Sequence, residues 1–236
     1  MCIRDRGHAV AERISDADVL LEDLTPEQRD AVTTSATPLC IVAGAGSGKT
    51  RVLTRRIAWQ AATGTIDPRR VLAVTFTRRA AGELRRRTRA LGLRDDVAAG
   101  TFHSIALAIL RNHWKDSGRR APELLERRMS FLARQHRNLD RASIADIDGE
   151  IGWARARLVT PDQYTDAAKA ARRRPGRSLS FVADIYGQYE EAKRKRKLVD
   201  FDDLLALCHA TMTQDTRFAE AQRWRHRHVL VDEFQD

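Results

Sequence analysis

The sequence predicts an α/β fold in which a parallel sheet with crossover helices is interrupted by a helical insertion. Between residue 24 and about residue 102, short β-rich runs alternate with charged helical stretches, which is the pattern of a parallel α/β sheet. Residues 104–197 contain no convincing strand; they are rich in Arg, Ala, Glu and Leu, with Gly and Pro at the breaks. An apolar run at residues 228–231 predicts a return to the sheet.

Three strands are predicted before the insertion. They cover residues 39–42, residues 71–76 and, more weakly, residues 97–102, since each is a short apolar run of the kind that buried strands show. Crossover helices are predicted between them at residues 49–62 and 79–91, the second of which alternates Arg with Ala or Leu. Strand, helix and strand in this order are typical of parallel pairing.

Composition and charge narrow the class of protein. The chain has 236 residues, is 42% hydrophobic and carries a formal net charge of +10, which fits either a polyanionic partner or a solvated, charged surface. Its three cysteines, Cys2, Cys40 and Cys208, are widely spaced and form no zinc-binding or disulfide pattern. The sequence has no apolar stretch long enough to span a membrane and no signal peptide. We therefore expect a cytoplasmic protein.

The segment AGAGSGKT at residues 43–50 matches the phosphate-binding loop pattern, with Ala where the strict form has its first Gly. A glycine-rich turn that merely connects strand to helix is the alternative, but a predicted strand precedes the loop and a predicted helix follows it. The glycines let successive N–H groups turn toward one anion, and the positive end of the helix adds to the attraction. The residues expected to hold the phosphates are Ala43, Gly44, Ala45, Gly46, Ser47, Gly48, Lys49 and Thr50.

The acidic segment VDEFQD, residues 231–236, supplies the carboxylates that such a loop needs. Asp232 follows an apolar strand and would hold Mg²⁺ together with the Thr50 hydroxyl, while Lys49 would reach the β and γ phosphates. Glu233 is placed to orient or deprotonate an attacking water. An Asp-Glu pair alone is common surface sequence, so the preceding strand and the phosphate loop carry this interpretation.

Six motifs occur in one order: LTPEQRDAV at residues 24–32, AGAGSGKT, TFTRRAA at 75–81, GTFHS at 100–104, VDFDDLL at 199–205, and VDEFQD. In this order they resemble the start of a UvrD/Rep/PcrA-type superfamily 1 ATP-dependent DNA helicase. The resemblance covers residues 24–236, and it is strong at the motifs and weak in the helical insertion. Residues 151–164 are most similar to an actinobacterial UvrD-like branch.

The resemblance implies a RecA-like P-loop NTPase sheet with a helical insertion subdomain. It places the first part of the ATP-binding core at residues 24–110, the insertion at 111–197 and the return to the core at 198–236, after a tail at 1–23 that we expect to be disordered. The sequence ends directly after the acidic segment, so the sheet would be incomplete and a second RecA-like domain would be missing. We therefore expect an N-terminal fragment that is inactive or very weakly active by itself.

The resemblance also assigns roles to three residues of the nucleotide pocket. Gln28 matches a glutamine that reads adenine, which would favour ATP over GTP because an amide can both donate to and accept from that base. Arg51 matches an arginine that lies against the base. Gln235 matches a glutamine that senses the γ-phosphate and couples hydrolysis to DNA.

TFTRRAA and GTFHS match the family's contacts with single-stranded DNA, in which aromatic rings stack on bases and polar groups meet phosphates. Taken singly, Phe76 and Phe102 also fit core aromatics at strand ends, Arg78 a solvated charge and His103 a buried histidine. This chain has Arg78 and Arg79 where Asn and Lys are commoner. The residues expected to contact DNA are Thr75, Phe76, Thr77, Arg78, Thr101, His103 and Ser104.

Two further features are interpreted as structural. VDFDDLL has three carboxylates, but Leu204, Leu205 and Leu207 after them suit a helix that packs onto the core. The four tryptophans, Trp59, Trp114, Trp153 and Trp224, are scattered, which favours core packing or partial burial over a stacking ladder.

The function implied by the resemblance is the ATP- and Mg²⁺-dependent part of a helicase that moves 3′ to 5′ on single-stranded DNA and unwinds duplex DNA in repair or replication. Two alternatives stay open at this point. One is the motor part of a helicase-nuclease subunit, and the other is a non-catalytic, basic DNA-binding module with a vestigial nucleotide site. The second predicts salt-sensitive DNA binding without dependence on ATP.

Overall fold

The computed structural model describes residues 17–93 and 97–234, and these residues form two compact units. The first unit, here called the sheet unit, ends at Ile105 and resumes at Thr211; the second, here called the helical unit, comprises Ala106–Ala210. None of the helices in the described ranges has the length and apolar character that crossing a membrane requires.

The sheet unit is built around three parallel strands with helices between them. Its helices are α1 (Pro26–Thr33), α2 (Lys49–Ala62), α3 (Arg78–Ala90) and α10 (Thr216–Arg225), together with a short 3-10 helix (Pro68–Arg70) and the start of α4 (Phe102–Asp116). Its strands are β1 (Val71–Thr75), β2 (Ala98–Thr101) and β5 (His228–Val231). The predicted helix at residues 49–62 is confirmed, and the one predicted at 79–91 lies one residue earlier.

The strand order is β2-β1-β5, and both pairings are parallel. All five residues of the central strand β1 are buried, which is why its sequence is a continuous apolar run. Thr75 and Thr101, at the ends of β1 and β2, are partners in the register. Because the strands are parallel, the segments that follow these two residues leave the sheet at the same edge. Ligands of open parallel sheets bind at this carboxyl edge.

The predicted first strand, at residues 39–42, does not form in this structure. These residues have no strand hydrogen bonds, and Val42 is 92% exposed. An apolar run becomes a strand only where its N–H and C=O groups find a ladder partner. Here β2 and β5 lie on the two sides of β1, and residues 39–42 pair with none of the described strands.

The predicted disordered tail differs from the structure over residues 17–23; residues 1–16 lie outside the described residues. Leu21 is buried with Val32 and Val52, so an apolar anchor holds this segment against α1 and α2. Arg55 strengthens the attachment, because its guanidinium donates to the Leu20 carbonyl at 2.7 Å and the Glu22 carbonyl at 3.0 Å. The prediction overlooked the apolar residues at its C-terminal end.

The helical unit contains the rest of α4 and two strands of two residues each. Its other helices are α5 (Arg128–Gln135), α6 (Arg141–Arg155), α7 (Pro161–Ala170), α8 (Leu179–Arg196) and α9 (Phe201–Gln214), which continues into the sheet unit. The strands β3 (Glu123–Leu124) and β4 (Leu198–Val199) pair in parallel. The largest buried cluster is apolar and aromatic, and in it the rings of Phe131 and Tyr189 pack edge to face at 5.8 Å.

A network of buried charges ties α9 to α6 and α8 inside the helical unit. Asp200 accepts from the Tyr189 hydroxyl at 2.6 Å and from the Lys193 ammonium at 2.9 Å. Arg155 reaches Asp203 and Glu190, each at 2.5 Å. Burial by itself raises the pKa of Asp200, but the opposing charges of Lys193 and Arg155 and the Tyr189 hydrogen bond lower it to about 2.

This network corrects the interpretation of VDFDDLL in one respect. Leu204 is buried as predicted, but Leu205 and Leu207 are each 38% exposed. The motif is therefore held chiefly by its carboxylates, and Asp200 and Asp203 also cap α9 through reciprocal side-chain to backbone hydrogen bonds of 2.8 Å.

Candidate functional site

The phosphate loop connects residues 39–42 to α2, and two of its glycines adopt left-handed backbone angles. Gly46 has φ 77° and Gly48 has φ 85°, a region that side chains resist. Gly48 directly precedes α2, and a Cβ there would lie 3.1 Å from the Gln28 amide nitrogen. The Ser47 hydroxyl donates to the Gly44 carbonyl at 2.8 Å, which closes the turn. These angles explain the glycine spacing in the sequence.

Lys49 is folded back over the loop. Its ammonium donates to the carbonyls of Ala43 at 3.1 Å and Gly44 at 3.2 Å. Both acceptors are neutral, so an anionic oxygen bound in the loop would replace them with stronger, charge-assisted hydrogen bonds. The lysine therefore lies where an anion in the loop would meet it.

Thr50 and Asp232 lie 182 positions apart in sequence and meet at the carboxyl edge of the sheet. The Thr50 hydroxyl donates to an Asp232 carboxylate oxygen at 3.1 Å. The end of β5 holds the aspartate in place, because its backbone N–H donates to the Val74 carbonyl at 2.8 Å. Asp232 is only 8% exposed and forms no ion pair with any described residue.

This donor set fits magnesium. A hydroxyl and a buried carboxylate are oxygen ligands, and Mg²⁺ commonly takes one or two of these from protein and completes its shell with water and phosphate oxygens. A divalent cation would also compensate the buried charge of Asp232. Within residues 17–93 and 97–234, no group of three or more His, Cys, Asp and Glu side chains forms a site that would hold a metal ion on protein ligands alone.

Gln28 links α1 to the phosphate loop. It completes a capping box with Thr25, in which the Gln28 side-chain oxygen accepts from the Thr25 N–H at 3.2 Å. The other end of the amide donates to the Ser47 carbonyl at 2.9 Å. Arg51 lies half-buried in the first turn of α2, directly after the loop.

Arg56 was not identified from the sequence, although it positions the helix that carries Gln28. It is 9% exposed, and its guanidinium donates to the carbonyls of Ala31 and Thr34, both at 2.8 Å, at the end of α1. Burial lowers the pKa of Arg56. The available signal was a charge one helical turn after Val52, on the face of α2 that is otherwise apolar.

Two aromatic rings stand exposed at the carboxyl edge of the sheet. Phe76 directly follows β1 and is 64% exposed; Phe102 directly follows β2 and is 50% exposed. The core interpretation of these residues is therefore excluded. Since Thr75 and Thr101 are register partners, the two phenylalanines leave neighbouring strands at the same level. Phe102 was not among the predicted DNA contacts, and only its exposure distinguishes it from a core residue.

The hydroxyl groups around these rings bond mostly to their own turns. Thr75 is buried and donates to the Thr77 carbonyl at 3.0 Å, while Thr77 caps α3 by accepting from the Ala80 N–H at 3.1 Å. Ser104 donates to the Thr101 carbonyl at 2.9 Å. Both turns therefore have fixed shapes, and a Cβ at Gly100 would lie 2.7 Å from the Ser104 oxygen.

The remaining predicted residues lie around these turns. Arg78 is exposed in the first turn of α3, and His103 is half-buried in the first turn of α4. Glu233 is exposed, with φ 54°, directly after Asp232. Gln235 lies outside the described residues.

A parallel sheet with a glycine-rich loop before a helix, and a paired threonine and aspartate at its carboxyl edge, defines the class of P-loop nucleotide-binding proteins. The sequence profile of the family described as "UvrD/REP helicase N-terminal domain" matches residues 24–236, and the chain belongs to this family. The α/β fold with few parallel strands and many helices agrees with a fragment of a RecA-like helicase domain.

Named relatives agree with this family. The chain is 40% identical to the ATP-dependent DNA helicase UvrD2 of Mycobacterium tuberculosis (strain H37Rv), over 93% of this chain and 34% of that protein. It is 37% identical to UvrD1 of the same strain, over 94% of this chain and 30% of the relative. It is 35% identical to PcrA of Bacillus subtilis, over 92% of this chain and 30% of that protein. The chain thus spans about a third of the length of these relatives, and the predicted similarity to actinobacterial members is confirmed.

Proposed function

We propose that this chain is the N-terminal, nucleotide-binding part of an ATP-dependent DNA helicase. In the whole protein, hydrolysis would drive 3′ to 5′ movement on single-stranded DNA and unwinding of duplex DNA in repair or replication. The observation that carries the proposal is the 3.1 Å contact between Thr50 and Asp232, because it joins the phosphate loop to the acidic motif across 182 positions of the sequence.

Each residue of the site has a distinct chemical task in this proposal. The N–H groups of the loop and the Lys49 ammonium bind the phosphates, and they oppose the negative charge that develops during phosphoryl transfer. Thr50 and Asp232 would hold Mg²⁺, which would neutralise part of the phosphate charge. Glu233 orients and deprotonates the attacking water, and Gln235, outside the described residues, senses the γ-phosphate.

Gln28 and Arg51 are proposed to select adenine. In the structure the Gln28 amide donates one N–H to the Ser47 carbonyl, and its oxygen accepts one hydrogen bond from the Thr25 N–H. A primary amide has two N–H donors and two lone pairs on its oxygen, so one donor and one lone pair remain for the base. Because Gln28 also bonds to Ser47, an adenine bound to this amide would be connected directly to the phosphate loop. Arg51 would lie against the face of the base.

The exposed ring of Phe76 is proposed to stack on a base of single-stranded DNA, with Arg78, Thr77, His103 and Ser104 near phosphates. Thr101 contributes the carbonyl that holds Ser104. Thr75 is buried, so its proposed part is to hold the turn at Thr77 rather than to touch DNA.

The test separates nucleotide binding from DNA binding in this chain. We expect Lys49→Ala to weaken binding of a non-hydrolysable ATP analogue with Mg²⁺ by about 10- to 100-fold, the value of a lost charge-assisted hydrogen bond. Single-stranded DNA binding should change less than about twofold. Lys115→Ala, on the exposed end of α4, is the matched control and should change neither.

Two results would contradict the proposal. If the analogue binds equally well to the wild type and to Lys49→Ala, the loop is not the nucleotide site. If DNA binds in a salt-sensitive way while no nucleotide binds at all, the chain is the DNA-binding module with a vestigial nucleotide site.

A further inference from the structure

A second surface of the sheet unit lies at the opposite edge of the sheet from the nucleotide site. The 3-10 helix ends directly before β1, and α10 ends shortly before β5, and these two strands begin side by side with Val71 and His228 in register. The segments directly before both strands are rich in arginine. We call this the Trp224 surface, and it consists of Arg69, Arg70, Arg223, Trp224, Arg225 and Arg227.

Trp224 is the centre of this surface. Core packing or partial burial was predicted for all four tryptophans, but Trp224 is 66% exposed, whereas Trp59, Trp114 and Trp153 pack against buried clusters. The guanidinium carbon of Arg70 lies 4.2 Å from the centre of the indole ring, so a cation covers one of its faces. Two thirds of the residue is nevertheless open to solvent, which leaves room for a planar ligand on the ring.

The charge around the indole favours an anionic partner. Five arginines lie within this surface, and Arg223, Arg225 and Arg227 are all exposed. The nearest acids along the chain are Asp67, which is bonded to Arg69 at 3.0 Å and lies 3.9 Å from Arg70, and Glu220, one helical turn before Trp224. The arginines therefore outnumber the acids. Arg223 and Arg225 flank Trp224 on α10, and Arg227 follows the helix, so an exposed aromatic ring lies next to exposed cations. This combination suits a nucleic-acid strand, in which each nucleotide offers a flat base and a phosphate.

We propose that the Trp224 surface binds single-stranded nucleic acid, with a base stacked on the exposed Trp224 ring and phosphates on Arg223, Arg225 and Arg227. None of these residues belongs to the phosphate loop, the acidic motif or the turns that follow β1 and β2. The site is therefore independent of the proposed motor function. It would give the protein a second contact with the strand, separate from the one at Phe76.

The test uses the 236-residue chain, a fluorescent oligothymidine, and an abasic oligonucleotide of the same length and charge. We expect Trp224→Ala to weaken oligothymidine binding about five- to tenfold, at the low end of what stacking of one base contributes. Trp224→Phe keeps an aromatic face and should lose about twofold or less. Binding of the abasic strand should not respond to Trp224→Ala.

Two further variants keep the test decisive. Arg225→Glu with Arg227→Glu changes only exposed side chains, so it should weaken binding of both strands even where Trp224→Ala fails to fold. The effects of Phe76→Ala and Trp224→Ala should multiply, because the two residues lie at opposite edges of the sheet. Lys49→Ala should leave the Trp224 effect intact, so failure of the nucleotide proposal can be told apart from failure of this one.

The proposal is overturned if a folded Trp224→Ala chain binds oligothymidine as tightly as the wild type. It is also overturned if the abasic strand loses as much affinity as oligothymidine does. If a polyglutamate peptide displaces the oligonucleotide and its own affinity falls in Trp224→Ala, the surface is a docking site for an acidic protein segment instead.

Discussion

The charged network of the helical unit and the charges of the nucleotide site in the sheet unit have opposite kinds of partners. In the helical unit Lys193 and Asp200 are buried and the Arg155 side chain is only 10% exposed, and each has charged partners within the same unit. In the sheet unit Lys49 has only neutral carbonyl acceptors, and the buried carboxylate of Asp232 has only a hydroxyl and no described cation. The charges of the helical unit are compensated by other protein charges and stabilise the fold, whereas those of the nucleotide site have no oppositely charged partner among the described residues and suit a ligand.

The comparison predicts that variants of the helical unit lower stability and leave ligand affinity unchanged. The largest effect is expected for Arg155→Ala, which leaves Asp203 and Asp200 with one cation fewer in a buried place. We expect the free energy of unfolding of the helical unit to fall by about 3–5 kcal/mol, as for other broken buried ion pairs. Urea denaturation followed by circular dichroism measures it.

Arg137→Ala removes an exposed arginine of the same unit and is the control, with an expected change below about 0.5 kcal/mol. Equal, small effects of the two variants would show that the buried network does not stabilise the unit.

Stability of the helical unit should also depend on pH below 4. The pKa of Asp200 is lowered from its ordinary value of 3.8 to about 2. A lowered pKa contributes stability that is present above the ordinary value and is lost as the pH falls through the folded value. We therefore expect a loss of about 2 kcal/mol between about pH 4 and pH 2.

The measurement is a series of urea denaturations across this range. In Asp200→Asn the position no longer titrates, so this part of the slope should disappear. A slope of the same size in Asp200→Asn would assign it to other carboxylates.

The smallest effect is expected for a variant of the sheet unit that alters the position of Gln28. Thr25→Ala removes the cap of α1 and half of the capping box that holds Gln28 near the phosphate loop. We expect a stability loss of about 1 kcal/mol, the usual value of an N-cap. Affinity for an ATP analogue should fall about two- to fivefold while affinity for a GTP analogue changes less.

Thr33→Ala, at the other end of α1, is the matched control and should not alter the preference for ATP. Equal losses of ATP and GTP binding in Thr25→Ala would contradict the proposed role of Gln28 in selecting adenine.

Local pattern was enough to predict part of this fold. The helix at residues 49–62 and the strand at 228–231 were placed correctly, because their apolar spacing and the glycine at the start of the helix are local signals. The run at 39–42 carries the same apolar signal, yet it forms no strand, because pairing depends on a neighbour that the run itself does not specify. The division into domains at residues 110 and 197 stays a prediction, and the compact units meet at 105 and 210.

Sequence reasoning was least informative where a residue's partner lies far along the chain. Asp200 lies within a recognisable motif, but its partners Arg155 and Tyr189 come from two other helices. The exposure of Trp224 and the burial of Arg56 were likewise set by tertiary packing, which composition and spacing do not encode. Thr50 and Asp232 were predicted to act together only because two motifs were interpreted jointly.

The most direct test of the account is the magnesium dependence of nucleotide binding. In the wild-type chain, Mg²⁺ should tighten binding of a non-hydrolysable ATP analogue by about tenfold, relative to the same titration in EDTA, because the ion is shared by Thr50, Asp232 and the phosphates. In Asp232→Asn the benefit of Mg²⁺ should disappear, while the affinity in EDTA stays the same or rises. An undiminished magnesium benefit in Asp232→Asn would contradict the central claim that these two residues form the metal site of a nucleotide-binding loop.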